Sequence, residues 1–171
     1  MKLYFDIETT GLSATNNSLT VLGALRGSEF VQLVAGKNLH EQAVRELFEN
    51  VSELVTFNGR RFDLPFVLSA FPGLSVSAGH KDLMFLGWGV GLKGGLKSLE
   101  VQLGLSRKTD VKNGYEAVIL WQKHLSGCPK SLDRLLLYNK EDVLNLPVLE
   151  EKLEQLWRQK HSEKTAQIPV P

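Results

Sequence analysis

Leu3-Tyr4-Phe5-Asp6-Ile7-Glu8-Thr9-Thr10-Gly11-Leu12 is the stretch on which the fold turns. Apolar Leu3, Phe5 and Ile7 alternate with Tyr4, Asp6 and Glu8, the period-two pattern of a strand with one buried face. Both carboxylates therefore point to the same side, roughly 6–7 Å apart along the strand. Thr9-Thr10-Gly11 is a turn signal, so the strand ends beside its acids. Strand ends and the loops after them are where sites are built in sheets covered by helices. A polar strand face open to water would show the same alternation, so other acids in the chain must decide between the two readings.

Two more segments supply those acids. Asp63 lies in Asn58-Gly59-Arg60-Arg61-Phe62-Asp63-Leu64-Pro65-Phe66, behind a short apolar strand at Leu54–Phe57 and ahead of an apolar helix at Leu64–Phe71. Its place before Leu64-Pro65 suits a helix N-cap with proline in the first turn. A carboxylate at a helix start can also face a metal. Gly127 and Pro129 announce a last helix, striped by Leu132, Leu135 and Leu136. On it Tyr138 and Asp142 are four apart and share one face, an arrangement that a surface tyrosine and an ordinary acid would also give. Together the segments offer four carboxylates, and such clusters of hard oxygen ligands are the usual way to hold Mg²⁺ or Mn²⁺ next to a phosphate. Two such ions about 4 Å apart clamp the attacking and leaving oxygens of a phosphodiester displacement. The expected activity is that of a metal-dependent nuclease.

The three segments resemble, in order, the motifs of the DEDD-type 3′–5′ exonucleases, the DnaQ-like group of the ribonuclease H-like superfamily. FDIETTGL resembles the first motif, Asn58 to Asp63 the second, and Tyr138-x-x-x-Asp142 the tyrosine form of the third. The histidine form needs a histidine five residues before Asp142, where Leu137 stands, so the subtype is DEDDy. LYFDIETTGLS, NGRRFDLPF, HKDL and YNKEDVLNL are similar to the YprB-like ribonuclease H-like proteins, and the resemblance runs from residue 1 to about 156.

The resemblance implies an α/β fold: a ribonuclease H-like mixed sheet, antiparallel meander plus parallel strands, with helices on both faces. It implies that Asp6 bridges two Mg²⁺ or Mn²⁺ ions, that Glu8 and Asp142 complete one site, and that Asp63 supports the other. Tyr138, whose ordinary pKa of about 10 makes it a poor base, would hold the nucleophilic water. The implied substrate is the 3′ end of a single strand, DNA or RNA. Leu12 resembles the position that wedges against the terminal base. Thr9, Asn58, Arg60 and Arg61 join it as candidate substrate contacts, Asn58 being better suited to fixing the loop of Asp63. An endonucleolytic ribonuclease and a non-catalytic nucleic-acid-binding module on the same fold are the alternatives.

Composition agrees with a folded enzyme. The 171 residues suit one domain, 43% hydrophobic and 23% charged, ordinary globular values. The domain is expected over 1–160, with 161–171 a disordered tail. No apolar run approaches the ~18 residues of a membrane span, and the single Cys128 excludes an internal disulfide or a cysteine zinc cluster. A cytoplasmic location without membrane contact is expected. The net charge of +1 understates the positive charge left once four acids are committed to metal. Arg60 and Arg61, then Lys93, Lys97, Arg107, Lys108 and Lys112, then Arg158, Lys160 and Lys164 could form a basic rim for phosphates, but most read as solvated surface charge and Arg60 and Arg61 are the exceptions.

Elsewhere, Leu19–Leu25 and Glu29–Ala35 read as a hairpin through Arg26-Gly27-Ser28, and Asn38 as the start of an amphipathic helix. His80 to Leu86 reads as a short helix, in which His80 and Asp82 form either an auxiliary site or a helix cap. Trp88 sits among the glycines of Gly87–Gly95, where it can stack on a base or anchor packing. Leu96–Leu103 and Tyr115–Leu125 read as helices. Pro147 is expected to kink or interrupt the last helix, with a second helix running on to Trp157.

Overall fold

β1 (Lys2–Thr9) occupies the middle of a five-stranded sheet of order β3-β2-β1-β4-β5. The computed structural model describes residues 1–111 and 113–166, so Lys112 and residues 167–171 of the expected tail lie outside the described residues. β2 (Leu19–Arg26) and β3 (Glu29–Val34) form the antiparallel meander, while β4 (Glu53–Thr56) runs parallel to β1 and β5 (Gly79–Asp82) parallel to β4. The mixed sheet of the ribonuclease H-like expectation is therefore present.

The alternation of β1 sorts the helices. Leu3, Phe5 and Ile7 pack with Val44 and Phe48 of α1 (Glu41–Phe48) and with Phe66 and Val67 of α2 (Asp63–Ala70). The other face is covered by α3 (Leu83–Gly89), α4 (Leu96–Gln102), α5 (Gly114–Leu125) and α6 (Pro129–Ala166). Leu135 and Tyr138 of α6 meet Val21 and Trp121 there, and Leu146, Leu149 and Leu153 meet Val55 and Leu83. Asp6 and Glu8 thus face α6. α6 comes close because β2 has Gly23 opposite Asp6; a Cβ at Gly23 would lie 2.1 Å from Asn139 Oδ1.

Several local expectations are corrected. His80 to Asp82 are strand rather than helix, since the chain pairs His80 with Leu54 and Lys81 with Val55 before α3 begins. α1 starts at Glu41 with His40 as its N-cap; Asn38 instead accepts from the Val34 amide at 2.7 Å and closes the turn after β3. Phe62, not Asp63, holds the N-cap position of α2, and Asp63 opens its first turn. α6 passes through Pro147 as one helix, and continues to Ala166 through the first part of the expected tail. Proline has no N–H, so the Val143 carbonyl goes without its helical donor; the leucines on either side bury enough surface to carry the helix on. No helix among the described residues is long and apolar enough to cross a membrane.

Candidate active site

The parallel strands end on one side of the sheet, and the acids gather there. β1 delivers Asp6 and Glu8, and its pairing with β2 shifts register between Glu8 and Thr9. Asp63 arrives by a tightly built loop. Asn58 takes a left-handed conformation (φ 63°), which asparagine tolerates better than most residues. Gly59 presses so closely on Thr56 that a Cβ would lie 2.3 Å from its hydroxyl oxygen. The buried Asp82 carboxylate accepts from the amides of Asn58 at 2.7 Å, Arg60 at 3.1 Å and Met84 at 3.1 Å. One acid thereby holds the loop and caps α3. Asp63 Oδ1 then accepts from the Ile7 amide at 3.1 Å, locking this loop to β1 between the first two acids.

α6 contributes Tyr138, Asn139 and Asp142. Asp6, Glu8 and Asp142 can each offer one oxygen to a group whose members all lie within 4.8 Å of one another. Asp63 stands beside this trio rather than in it. The set is all carboxylate, with no cysteine or histidine, which suits a hard cation. Glu8 Oε1 is buried without a hydrogen-bond partner, an oxygen that a bound cation would satisfy. On these grounds the residues fit Mg²⁺ or Mn²⁺.

Asp6, Glu8, Thr9, Leu12, Asn58, Asp63, Tyr138 and Asp142 all line one cavity of about 410 Å³. The two arginines do not. Arg60 donates to the His80 carbonyl, and Arg61 lies over the rings of Phe85 and Trp88. His80 bonds the Thr56 hydroxyl at 2.8 Å, and neither it nor Trp88 lines the cavity.

The structure adds residues that sequence reasoning passed over. Asn139 is fully buried and donates to Asp6 Oδ2 at 3.0 Å and to the Asp6 carbonyl at 3.2 Å, while Gln32 donates to Asn139 Oδ1 at 2.9 Å. Arg107 reaches Asp142 Oδ1 at 2.5 Å and grips the fully buried Glu100 with contacts of 3.0 and 2.8 Å; Asn145 also donates to Glu100. Lys97 Nζ sits 4.2 Å from the centre of the Tyr138 ring and donates to the Val111 carbonyl. Tyr115, 74% exposed, stands on the rim with Leu12, 87% exposed. Only charge betrays Arg107 and Lys97 in the sequence. Asn139 and Tyr115 carry no signal there.

Crowding raises the acids' pKa values. Burial, then the charges of Asp142 and Asp63, pushes Asp6 and Glu8 well above the carboxylate range. Burial lifts Asp63 to about 7, and lifts Asp142 to about 6 against the pull of Arg107. Burial also raises the Tyr138 phenol, which therefore stays neutral at physiological pH. The folded chain thus holds protons that the unfolded chain has released above about pH 4, and stability falls as pH rises. Metal-free protein is expected to melt at a progressively lower temperature from pH 5 to pH 7.5, and added Mn²⁺ to reverse most of that loss. Thermal melts across this range check it; a metal-free melting temperature that climbs with pH would contradict the crowded-acid picture.

A family model described as RNase_H superfamily matches residues 3–154. No curated protein matches the chain. Among solved structures, NrnC of Brucella melitensis bound to pGG is similar with a TM-score of 0.67 and 20% identity, over 96% of this chain and 77% of that one. The same protein with bound Mg²⁺ matches at 0.61 and 21%, with the same coverage. The Aedes aegypti Nibbler EXO domain matches at 0.63 and 14%, over 92% of this chain and 79% of the domain. The family B DNA polymerase of Pyrobaculum calidifontis matches at 0.69 and 16%, over 89% of this chain, which spans 24% of the polymerase's length.

Proposed function

The chain belongs to the RNase_H superfamily, and from that membership we propose that it is a metal-dependent 3′–5′ exonuclease of the DEDDy subtype acting on single-stranded DNA or RNA. The observation that carries the reading is the convergence of Asp6, Glu8 and Asp142 within 4.8 Å, with Asp63 and Tyr138 in the same cavity. The NrnC structures with pGG and with Mg²⁺ support it, as do HKDL and YNKEDVLNL for a YprB-like affinity.

Asp6, Glu8 and Asp142 would hold one Mg²⁺ or Mn²⁺, and Asp6 with Asp63 the other. When bound, the pair would supply Lewis-acid stabilisation of the attacking and leaving oxygens. The protein's own groups do the rest. Asn139 fixes the Asp6 carboxylate from one side. Arg107 keeps Asp142 ionised and aimed. The neutral Tyr138 hydroxyl holds a water in line with the phosphorus. Leu12 and Tyr115, exposed at the rim, give the terminal base an apolar seat.

End-labelled single-stranded DNA and RNA, incubated with Mn²⁺, Mg²⁺ or chelator, test this. Mononucleotides released from the 3′ end with metal, none in chelator, and resistance of 3′-blocked or circular strands are expected. Full-rate degradation in chelator would overturn the metal assignment, and cleavage of circles would favour the endonuclease.

Tyr138→Phe separates water positioning from ligation. The single-turnover rate is expected to fall by roughly 10- to 10³-fold, as for a positioning contact. Mn²⁺ affinity should hold, because no ligand is lost. An unchanged rate would reduce Tyr138 to packing.

A further inference from the structure

Beside the cavity lies a ledge of cations and aromatic rings that the chemistry above does not use. Phe85 and Trp88, three apart on α3, share one face and meet edge to face with centroids 5.1 Å apart. The Arg61 guanidinium carbon sits 5.1 Å from the Phe85 ring centre and 5.8 Å from that of Trp88. Arg61 follows directly on the loop whose Phe57 and Asn58 line the cavity, and its neighbour Phe62 lines it too. The ledge is rigidly joined to that rim, because Asp82 caps α3 and holds the loop at once. Beyond Trp88, Gly91 and Gly94 take left-handed conformations, and the chain returns so that Lys93 shares a shallow hollow with the indole.

Two facts leave this patch open to a ligand. Trp88 is 42% exposed. Arg61 and Lys93 flank the patch with no carboxylate partner among the described residues. An open aromatic face between two unpaired cations is the combination that binds single strands without regard to sequence, stacking for the base and charge for the phosphates. Its charge complements a polyanion.

We propose that this ledge binds the body of the single-stranded substrate, stacking a base two or more nucleotides 5′ of the scissile bond on Trp88 and pairing flanking phosphates with Arg61 and Lys93. The proposal rests on the exonuclease reading, since an enzyme that removes the terminal nucleotide leaves the rest of the strand on the 5′ side of the bond it cuts. Stacking ignores the sugar, so DNA and RNA are held alike. The consequence is a preference for long strands over dinucleotides, set outside the catalytic cavity.

The test uses the full chain with a dinucleotide and a 12-nucleotide homopolymer of DNA or RNA. Fluorescence anisotropy in chelator reads binding without hydrolysis, and Mn²⁺ kinetics read turnover. Trp88→Ala is expected to weaken 12-mer binding by about 5- to 150-fold, the loss of one stacked base, while dinucleotide kcat/KM is unchanged. Trp88→Phe should restore most of the 12-mer affinity. Lys93→Ala should lower the salt dependence of 12-mer binding by about one phosphate contact. Equal losses on both lengths would mean that the variant disturbs the cavity, and no loss on either would mean that Trp88 only packs; each overturns the ledge. Wild-type protein that binds the 12-mer through Trp88 but hydrolyses nothing with Mn²⁺ would keep the ledge and overturn the nuclease.

Discussion

Asp6→Asn is expected to slow strand hydrolysis by at least ~10³-fold while leaving the chain folded, since under the proposed function Asp6 would be shared between two ions and its loss would disable both. Asp6 belongs to the trio with Glu8 and Asp142, and the Asp63 charge also acts on it. The fold orients it through Asn139. The fold should survive because the folded state resists this charge: burial, Asp142, Asp63 and Glu8 all raise the Asp6 pKa. An uncharged amide of the same shape removes that repulsion. Single-turnover cleavage and a metal-free thermal melt measure the two halves. A near-normal rate, or a chain that no longer folds, would contradict the assignment.

The largest effect on stability is expected at Glu100. Its side chain is fully buried, and Arg107, only 12% exposed, grips both of its oxygens. Glu100→Gln keeps an oxygen for Asn145 but removes the charge opposite the guanidinium. Breaking a buried pair on one side costs about 3–5 kcal/mol, because the remaining charge has lost its solvent and its partner. Chemical denaturation should show that loss. The double change Glu100→Leu with Arg107→Met should recover part of it, since the guanidinium is then gone, although Asp142 loses that partner too. A single-variant loss below about 1 kcal/mol would mean that Asp142 and Glu141 suffice to hold Arg107.

Much of the sheet and most of the acids were legible because they follow from local rules. The alternation at Leu3 to Glu8 placed both carboxylates on one face, and the structure turns that face to α6. The four-residue spacing of Tyr138 and Asp142 put them on one helix face, and both line the cavity. What stayed hidden depends on partners distant in the chain. Gly79–Asp82 is strand only because β4 lies beside it, and no alternation of its own marks it. Asn139 differs from other polar residues of α6 only because Gly23 leaves room for it against β2. Arg107 looks like one more surface cation until the loop after α4 folds it over Asp142. Asp82 resembled a cap, which it is, but its hold on the loop of Asp63 appears only in three dimensions.

The bond from Asn139 to Asp6 spans 133 residues. Contacts so remote in sequence are closed late, after the loop entropy between them has been overcome. During synthesis the first strand leaves the ribosome long before α6 exists, and domains gather N-terminal parts first. A nascent chain therefore carries Asp6, Glu8 and Asp63 without Asp142, and under the proposed function could not yet hydrolyse a strand. Hydrolytic competence, on that reading, would switch on only when translation has delivered nearly the whole domain. Polypeptides interrupted before α6 would be inert, and two separately made halves should regain activity only by associating.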